Sequence, residues 1–289
     1  MPAVQLYTRI RRLLSAEADP QMPVSSQERL ALLVLGIITA RHGAPARIAA
    51  KLASLGLSPA MVESIERRIR RIESDRAISA VKCLHPFIRV QLARCKLRQL
   101  VLIIDPTTQD DRLVKLTVSV WYRGRALPLA WTLWPGNRPL EGLRFWDRVA
   151  ALLNQVEGLL PEQGPVVILG DRAFGGPAFI DLVVPRAWDY VVRVQGQTVC
   201  RDRRGVEQRV EDLVRRGGRA KLRGEVFKKR GWQTASVVVH WGRRHDSPLC
   251  LVTSLRPDWA ALALYKGRYL IEASFRDLKS RGWHWEEGQ

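Results

Sequence analysis

Two aspartates in this sequence directly follow runs of apolar residues. Asp105 follows residues 100–104, and Asp171 follows the run at residues 166–170. Short, continuous apolar runs are typical of β-strands that are buried on both faces. Side chains just beyond the carboxyl ends of such strands converge on one crevice, and carboxylates are the groups with which proteins hold Mg²⁺ against a phosphate. The pair therefore predicts a divalent metal site beside a phosphate.

Either aspartate taken singly also has a structural explanation. Asp105 precedes Pro106 and is a typical turn residue, and Asp171 is suited to cap the segment that follows it. Both aspartates together, at two strand ends in a strongly basic protein, favour chemistry.

A third carboxylate, Glu272, lies in a final amphipathic helix that we predict from about Pro257 to beyond Ser280. It belongs to a set spaced by three, four and seven residues, which a helix presents within a narrow sector: Tyr265, Arg268, Glu272 and Lys279. The neighbouring stripe is apolar and would dock the helix on a sheet: Leu264, Ile271, Phe275 and Leu278. Glu272 could instead be a surface partner of Arg268 or Arg276, which explains a pair but not the whole set.

The charge of the chain indicates an anionic partner. It has 47 Lys and Arg against 28 Asp and Glu, a formal net charge of +19, and a pI of about 10.8. An excess of this size favours nucleic acid, because each phosphate that the protein neutralises releases a bound counterion. Ribosomal and membrane-surface proteins share this basic character, so charge alone leaves them open.

Other features of the composition exclude several classes of protein. The four cysteines lie far apart without a C-x-x-C pair, so we predict neither a disulfide framework nor a zinc site. The longest apolar run, residues 30–40, is too short to cross a bilayer, and no signal peptide opens the chain. We therefore expect a soluble protein of the cytoplasm without a membrane partner.

Residues 1–96 have only helical patterns and form the first predicted domain. A helix begins at Ser25 or Ser26, a second covers residues 44–54, and after a break at Gly56 a third begins at Ser58-Pro59. The third helix is basic, with Arg67, Arg68, Arg70 and Arg71. Two short helices around a glycine turn resemble a helix-turn-helix, so this domain is a possible DNA-binding domain. Arginines at these spacings are equally typical of a solvated helix face.

Residues 97–289 form the second predicted domain, of the α/β class. Three strands, a helix, a strand, a helix and a fifth strand follow one another between residues 100 and 194, which predicts a mixed sheet flanked by helices. Residues 196–256 then interrupt this order with strand-like stretches and 15 Lys and Arg against 6 Asp and Glu. We predict that they form a basic, β-rich insertion.

At this point the sequence resembles a known family. The spacing Tyr265-x-x-Arg268-x-x-x-Glu272-x-x-x-x-x-x-Lys279 matches in full the Y-R-E-K signature of the bacterial cut-and-paste insertion-sequence transposases of the DDE class. Asp105 in IIDPTT and Asp171 in ILGDRAF resemble their two other acidic motifs. The resemblance covers about residues 99–289, and it implies a ribonuclease H-like fold with a β-rich insertion.

The resemblance also implies a mechanism. Asp105 would bridge two Mg²⁺ or Mn²⁺ ions, and Asp171 and Glu272 would each complete one site. The site would nick double-stranded DNA at the transposon end, form and open a hairpin, and join the freed 3′-hydroxyl to target DNA. A homodimer bound to DNA, associated with the bacterial nucleoid, is the assembly that the resemblance implies.

Further residues receive DNA-binding roles from the resemblance. Tyr265, Arg268 and Lys279 would hold phosphates near the scissile bond. Trp232 is the candidate on which an extruded base would stack, and it follows a basic run, Lys228, Lys229 and Arg230. A tryptophan of the insertion core is the alternative for Trp232, and Trp241 is the second candidate for stacking.

Two other functions remain open on the sequence. Family members usually continue with further helix, whereas this sequence ends at Gln289, ten residues past Lys279. A shortened copy would be an inactive DNA-binding remnant. A ribonuclease H-fold nuclease or resolvase, which cuts strands but never joins them, would use the same three carboxylates.

Overall fold

The computed structural model describes all residues except 1, 18–19, 57–59, 73, 96, 110–111, 139, 141–142, 163 and 285–289. The chain divides into two compact units. The smaller consists of Met1–Lys96, Leu159–Pro161 and Ala273–Gln289, and the larger of Leu97–Gly158 and Glu162–Glu272. The predicted helix start at Ser58-Pro59 lies outside the described residues. The predicted domain boundary near residue 96 stays a prediction.

The smaller unit is helical. Its first five helices are α1 (Ala3–Glu17), α2 (Val24–Ala40), α3 (Pro45–Ser54), α4 (Val62–Arg70) and α5 (His85–Cys95). Gly36 lets α2 approach α3 closely, because a Cβ at this position would lie 2.4 Å from Ile48 Cγ2. Leu35, Ile48 and Leu52 are almost fully buried at this contact, so the helices enclose a small apolar core.

Two features of this unit bear on the predictions from sequence. Arg67, Arg68 and Arg70 of α4 are exposed, and Arg70 forms an ion pair with Glu66 one turn earlier. A solvated helix face accounts for these contacts, and DNA binding by α4 stays a prediction.

In the part of the chain that the structure describes, no helix is both long and apolar enough to span a membrane.

The larger unit is built on one mixed sheet of ten strands. They are β1 (Leu100–Gln109), β2 (Leu113–Tyr122), β3 (Arg125–Pro135), β4 (Val166–Gly170), β5 (Asp189–Arg193), β6 (Val199–Arg201), β7 (Glu207–Arg209), β8 (Arg219–Val226), β9 (Gln233–His240) and β10 (Leu249–Thr253). Their order in the sheet is β3-β2-β1-β4-β5-β10-β9-β8-β6-β7. β1 to β3 are antiparallel, and β4 and β5 run parallel to β1. The predicted ribonuclease H-like mixed sheet is therefore confirmed.

Residues 196–256 are β-rich, as predicted, but they do not form a separate sheet. β10 pairs with β5, and β9, β8, β6 and β7 follow outward from it. The insertion thus doubles the width of the central sheet, because the exposed edge of β5 accepts β10 as a partner.

Helices flank this sheet. α6 (Leu143–Glu157) contacts β2 and β3, α7 (Pro177–Val183) contacts α6 and β5, and α8 (Trp259–Lys266) contacts β5, β9 and β10. An aromatic cluster fills the space beside α6, with ring centroids between 5.0 and 6.4 Å apart: Phe145, Trp146, Phe174 and Phe179. After a short interruption, α8 is followed by α9 (Tyr269–Arg276).

The single final helix predicted from sequence is therefore wrong in one respect. It breaks between α8 and α9, where Arg268 N donates to Tyr265 O at 3.0 Å in a tight three-residue turn. Gly267 lies at this break and close to the Trp121 ring, because a Cβ at this position would meet Trp121 Cζ3 at 2.2 Å. A turn of this kind aligns residues three apart, so Tyr265 and Arg268 still share one side.

We predict that Gly267→Ala destabilises the protein. Alanine is favoured over glycine in a helical conformation by about 1 kcal/mol, but forcing a methyl group into the Trp121 ring costs about 1–3 kcal/mol. Urea unfolding should show the net loss. A second substitution, Trp121→Leu, should make Gly267→Ala neutral or favourable. If Gly267→Ala is neutral in the presence of Trp121, the close contact does not position the two helices.

Candidate active site

Asp105, Asp171 and Arg193 lie side by side on one face of the sheet. The residues immediately before them are paired with one another across β1, β4 and β5. Side chains at paired positions of neighbouring strands point to the same face. The strand register thus brings together two residues predicted from sequence and one cation that was not predicted.

Asp105 is a buried carboxylate with acidic neighbours. It is 7% exposed. Asp105 is not a turn residue, which was one expectation from the sequence, because it lies inside β1 and pairs with Thr117. Burial raises its pKa to about 7, the Arg268 guanidinium opposes this rise, and the charges of Asp171 and Glu272 add to it. Positive charge close to Asp105 therefore favours its ionised form.

Asp171 caps the short 3₁₀ turn Arg172–Phe174. Its Oδ1 accepts a hydrogen bond from Ala173 N at 2.8 Å. The capping explanation for Asp171 is thus correct, and the same hydrogen bond orients the carboxylate that acts electrostatically on Asp105. Capping and a catalytic role are compatible, because a carboxylate can accept several hydrogen bonds.

Helix α8 crosses the face on which these carboxylates lie. At its first residue, Trp259 packs beneath Arg219 and Lys221 of β8, at 5.4 and 5.3 Å from the ring centroid. At its far end Tyr265 is 9% exposed. Burial raises the pKa of Tyr265, the charges of Arg268 and Arg193 lower it, and Asp171 raises it. We call the group formed by Asp105, Asp171 and Glu272 the acidic centre. α8 thus extends from β8 to the acidic centre and positions the residues that follow the helix.

Arg268 joins two of the three carboxylates. Its Nη1 lies 3.2 Å from Asp105 Oδ1, and its Nη2 forms an ion pair with Glu272 one helical turn later. The side chain of Arg268 is 18% exposed, whereas that of Glu272 is 55% exposed. The alternative from sequence, that Glu272 pairs with Arg268, is therefore present in the structure, but the pair is part of the acidic centre.

This arrangement is not a completed metal site. Within the described residues, no three carboxylate, histidine or cysteine side chains converge closely enough to hold an ion. The guanidinium of Arg268 supplies positive charge to Asp105 and Glu272 instead. The oxygen-only donor set is nevertheless of the kind that Mg²⁺ and Mn²⁺ prefer.

Comparison with known families shows what this part of the chain resembles. Residues 147–287 match the family model described as "Transposase DDE domain". These residues are therefore similar to a transposase DDE domain. The match contains Asp171 and Glu272 and begins after Asp105. The resemblance to DDE transposases predicted from sequence is confirmed, and no curated protein matches the chain.

The chain is also similar to solved structures at low identity. One is a piggyBac transposase synaptic complex with hairpin DNA, at 13% identity and a TM-score of 0.48; the alignment covers 95% of this chain and 65% of that one. Another is Ciona intestinalis endonuclease V bound to a 23mer DNA, at 14% identity and a TM-score of 0.38, covering 65% of this chain and 88% of that one. The chain thus spans about two thirds of the length of the transposase it resembles.

The structure does not bring Trp232, one of the predicted DNA-binding residues, to this centre. Lys279 belongs to the smaller unit, in the π-helical turn Asp277–Arg281. Trp232 immediately precedes β9. It lies six residues before Val238, the β9 residue that the strand register aligns with Arg193 and Asp171. The separation of Trp232 from this aligned position, measured along the strand, is about 20 Å. The guanidinium carbon of Arg201 lies 4.4 Å from the centroid of the Trp232 ring. The roles of Lys279 and Trp232 stay predictions.

The basic run before Trp232 and the second tryptophan candidate have structural partners of their own. Lys228 forms an ion pair with Glu207, and Lys229 and Arg230 complete the exposed 3₁₀ turn that Lys228 begins. Trp241 donates from Nε1 to the His245 carbonyl oxygen at 2.8 Å. These contacts are compatible with binding DNA, and none of them places a residue near the carboxylates.

Two further residues near this centre were not predicted from the sequence. Arg193 is one of several arginines near the end of a strand, and only the register of β5 with β4 places it beside Asp171. Tyr269 follows Arg268 directly in the chain, and it is 61% exposed. The aromatic residue next to Arg268 in the sequence is the signal that could have identified Tyr269.

We predict that the stability of the protein depends on pH through Asp105. Between about pH 4 and pH 7, the folded protein binds a proton at Asp105 that the unfolded chain does not bind. The free energy of unfolding must therefore fall as the pH rises through this window. Asp105→Asn mimics the protonated acid, so its stability advantage over wild type should grow by about 4 kcal/mol across the window.

Urea unfolding in EDTA, at intervals across this pH range, measures the difference between the two proteins. The matched control is Asp212→Asn, because Asp212 is exposed; its curve should stay parallel to that of wild type. Parallel curves for wild type and Asp105→Asn would show that Asp105 is not destabilised by ionisation.

Proposed function

We propose that this protein is a cut-and-paste transposase that cleaves and joins DNA at Asp105, Asp171 and Glu272. The observation that carries the proposal is the buried Asp105 carboxylate, which lies next to Asp171 in the strand register and is joined through Arg268 to Glu272. A transposase DDE domain covers two of these three residues. Concentrated negative charge at the end of a strand is suited to recruiting metal ions, not to stabilising a fold.

The residues fit two divalent ions in kind. Asp105 would bridge the ions, and Asp171 and Glu272 would each hold one, with Mg²⁺ or Mn²⁺ as the hard cations that such oxygens select. When bound, these ions supply activation of a nucleophile and neutralisation of the leaving oxygen. The family normally uses divalent metals. Burial raises the pKa of Asp105, as do the charges of Asp171 and Glu272, and added positive charge would favour the ionised form that binds a cation.

The cationic side chains around the carboxylates would orient the DNA. Arg193 and Arg268 lie near enough to Tyr265 for their charges to lower its pKa. A guanidinium fork suits a phosphate, and the phenol of Tyr265 can donate to one. These three side chains would hold the strand so that the scissile phosphate faces Asp105 and Asp171. Lys279, which belongs to the smaller unit, would also contact DNA.

The exposed ring of Tyr269 is a better placed candidate for base stacking than Trp232. Tyr269 is adjacent to Arg268 in the chain and is 61% exposed. Trp232, in contrast, is about 20 Å along the direction of β9 from the position that the strand register aligns with Asp171. Stacking on an aromatic ring contributes about 1–3 kcal/mol per base. Hairpin formation, opening and strand transfer would then take place with the displaced base held at Tyr269.

The partners follow from the same proposal. Double-stranded DNA is the substrate, both as transposon end and as target, which accounts for the net charge of +19. A homodimer on the DNA and association with the nucleoid in the bacterial cytoplasm belong to this proposal. The helical unit with its exposed α4 arginines would be the DNA-binding domain.

We predict that Glu272→Gln abolishes cleavage of duplexes that carry the element's own ends. The substitution keeps the size of the side chain but removes the charge that an ion requires, so Mg²⁺-dependent cleavage should fall by more than about 100-fold, the upper end of the effect of residues that only support a metal ligand. DNA binding in EDTA should be unchanged. Denaturing gels measure nicks and hairpins, and transfer of labelled ends to a plasmid measures joining.

The matched control is Glu162→Gln, because Glu162 is exposed and outside the acidic centre. Cleavage without joining by wild type would identify a nuclease or resolvase. Binding by wild type without any cleavage would identify a DNA-binding remnant and would contradict the proposed enzyme.

We predict opposite effects of Arg268→Ala on metal affinity and on cleavage. The Arg268 guanidinium competes with metal ions for Asp105 and Glu272. Without it, Mn²⁺ no longer has to displace an ion pair, so its affinity should rise by about tenfold. Cleavage should fall, because a phosphate contact is lost. Electron paramagnetic resonance of Mn²⁺ measures binding without DNA.

Arg276→Ala is the control for this measurement, because Arg276 is an exposed arginine on the same helix. It should change neither quantity. Unchanged or weaker Mn²⁺ binding to Arg268→Ala would show that Arg268 does not compete with the ions.

A further inference from the structure

A basic cavity lies at the edge of the sheet opposite β3. It is formed by the turn between β6 and β7 and by β8, and we call it the edge notch. Four arginines line it, together with two acidic residues: Arg201, Arg203, Arg204, Arg223, Asp202 and Glu225. The sequence had indicated only that the insertion as a whole is basic.

The acidic residues of the edge notch are already engaged. Glu225 forms an ion pair with Arg201. Asp202 Oδ1 accepts from the backbone nitrogens of Arg204 and Val206, both at 2.9 Å. Arg203 is exposed, as is Arg204, and no ion pair of either side chain is found within the described parts of the chain. The edge notch therefore has excess positive charge for an anion.

The backbone around the edge notch is held in place. Gly224 allows β6 to approach β8, because a Cβ there would lie 2.1 Å from Arg201 O. Gly205 closes the turn with a φ of +82°, a left-handed conformation that glycine adopts without strain. Arg223 Nη1 donates to Ser236 Oγ at 3.0 Å. Such a preorganised site loses little entropy when it binds a ligand.

The strand register places the edge notch on the same face as the acidic centre. Arg193 pairs with Leu251, Leu251 with Val238, and Val238 with Lys221. Arg223 is two residues beyond Lys221 on β8 and therefore shares its face. Five strand spacings separate β4 from β6, which is about 24 Å. A DNA strand has one phosphate per ~3.4 Å, so this distance spans roughly seven nucleotides.

We propose that the edge notch binds a backbone phosphate of DNA roughly seven nucleotides from the phosphate held at the acidic centre. The inference rests on the proposed function, since it takes the scissile phosphate to lie at Asp105. Arg203 and Arg204 contact the phosphate, and Arg201 and Arg223 form the fixed wall behind them. The Trp232 ring supports Arg201 at 4.4 Å, so Trp232 acts here as a platform for an arginine.

A double-mutant cycle between protein and DNA tests this contact. Single neutral methylphosphonate linkages are placed at successive positions of a duplex that carries the element's end, and fluorescence anisotropy gives the affinity at fixed salt. For wild type, one linkage at the expected spacing should weaken binding by about tenfold. For Arg203→Ala/Arg204→Ala the same linkage should have no effect, because its protein partner is gone. The salt slope of this variant should fall by about 0.9, because one phosphate contact is lost.

Arg216→Ala is the matched control, because Arg216 is an exposed arginine of the insertion that is paired with Asp246. Its effect should be additive with that of every linkage. Additivity for Arg203→Ala/Arg204→Ala, or coupling only to linkages next to the cleavage point, would overturn the proposal. Equal thermal stability of all variants shows that folding is not the cause.

The phosphate could come from the transposon end or from target DNA, so the neutral linkages are placed first in one duplex and then in the other. Coupling in either duplex supports the edge notch and identifies the source. Cleavage by wild type without any coupling overturns the edge notch alone. Coupling without cleavage overturns the proposed enzyme alone.

Discussion

The ionisation of Asp105 is the physical constraint on which the rest of the site depends. Burial of Asp105 to 7% exposure inside a sheet strand disfavours its ionised form, as do the charges of Asp171 and Glu272, so that form depends on nearby positive charge. In this structure Arg268 supplies it from outside the sheet. Every element that fixes Arg268 therefore controls the electrostatics of the centre, and any bound cation must replace or supplement the same charge.

Helix α8 is the element that transmits this control. It is anchored at Trp259 against two cations of β8 and ends where Gly267 meets the Trp121 ring of β2. These two contacts lie on opposite sides of the acidic centre, because β8 and β2 are on either side of β1 and β4 in the sheet. The helix thus links the inserted strands mechanically to the strands that carry the carboxylates, although the two groups are distant in sequence.

The insertion has a second consequence, which is the width of the sheet. By continuing the sheet beyond β5, strands β6 to β10 create one broad face that has carboxylates near one end and arginines at the other. A linear polyanion can contact both regions at once, and two weak contacts on one ligand reinforce each other when the geometry permits both. The structure accounts in this way for a basic insertion within a sheet that carries Asp105 and Asp171 near its other end.

Much of this protein is determined by local sequence. Asp105 and Asp171 follow apolar runs of the kind that form buried strands. The spacing from Tyr265 to Glu272 holds even though the predicted helix is broken at Gly267, because a tight turn preserves the side on which residues three apart lie. Tertiary structure decided the rest. The neighbours of Arg268, the row that contains Arg193, and the edge notch all depend on pairing between strands that lie far apart in the chain. Periodicity reports which face of a strand is apolar, but hydrogen bonding between distant strands sets which strands are neighbours and in which register.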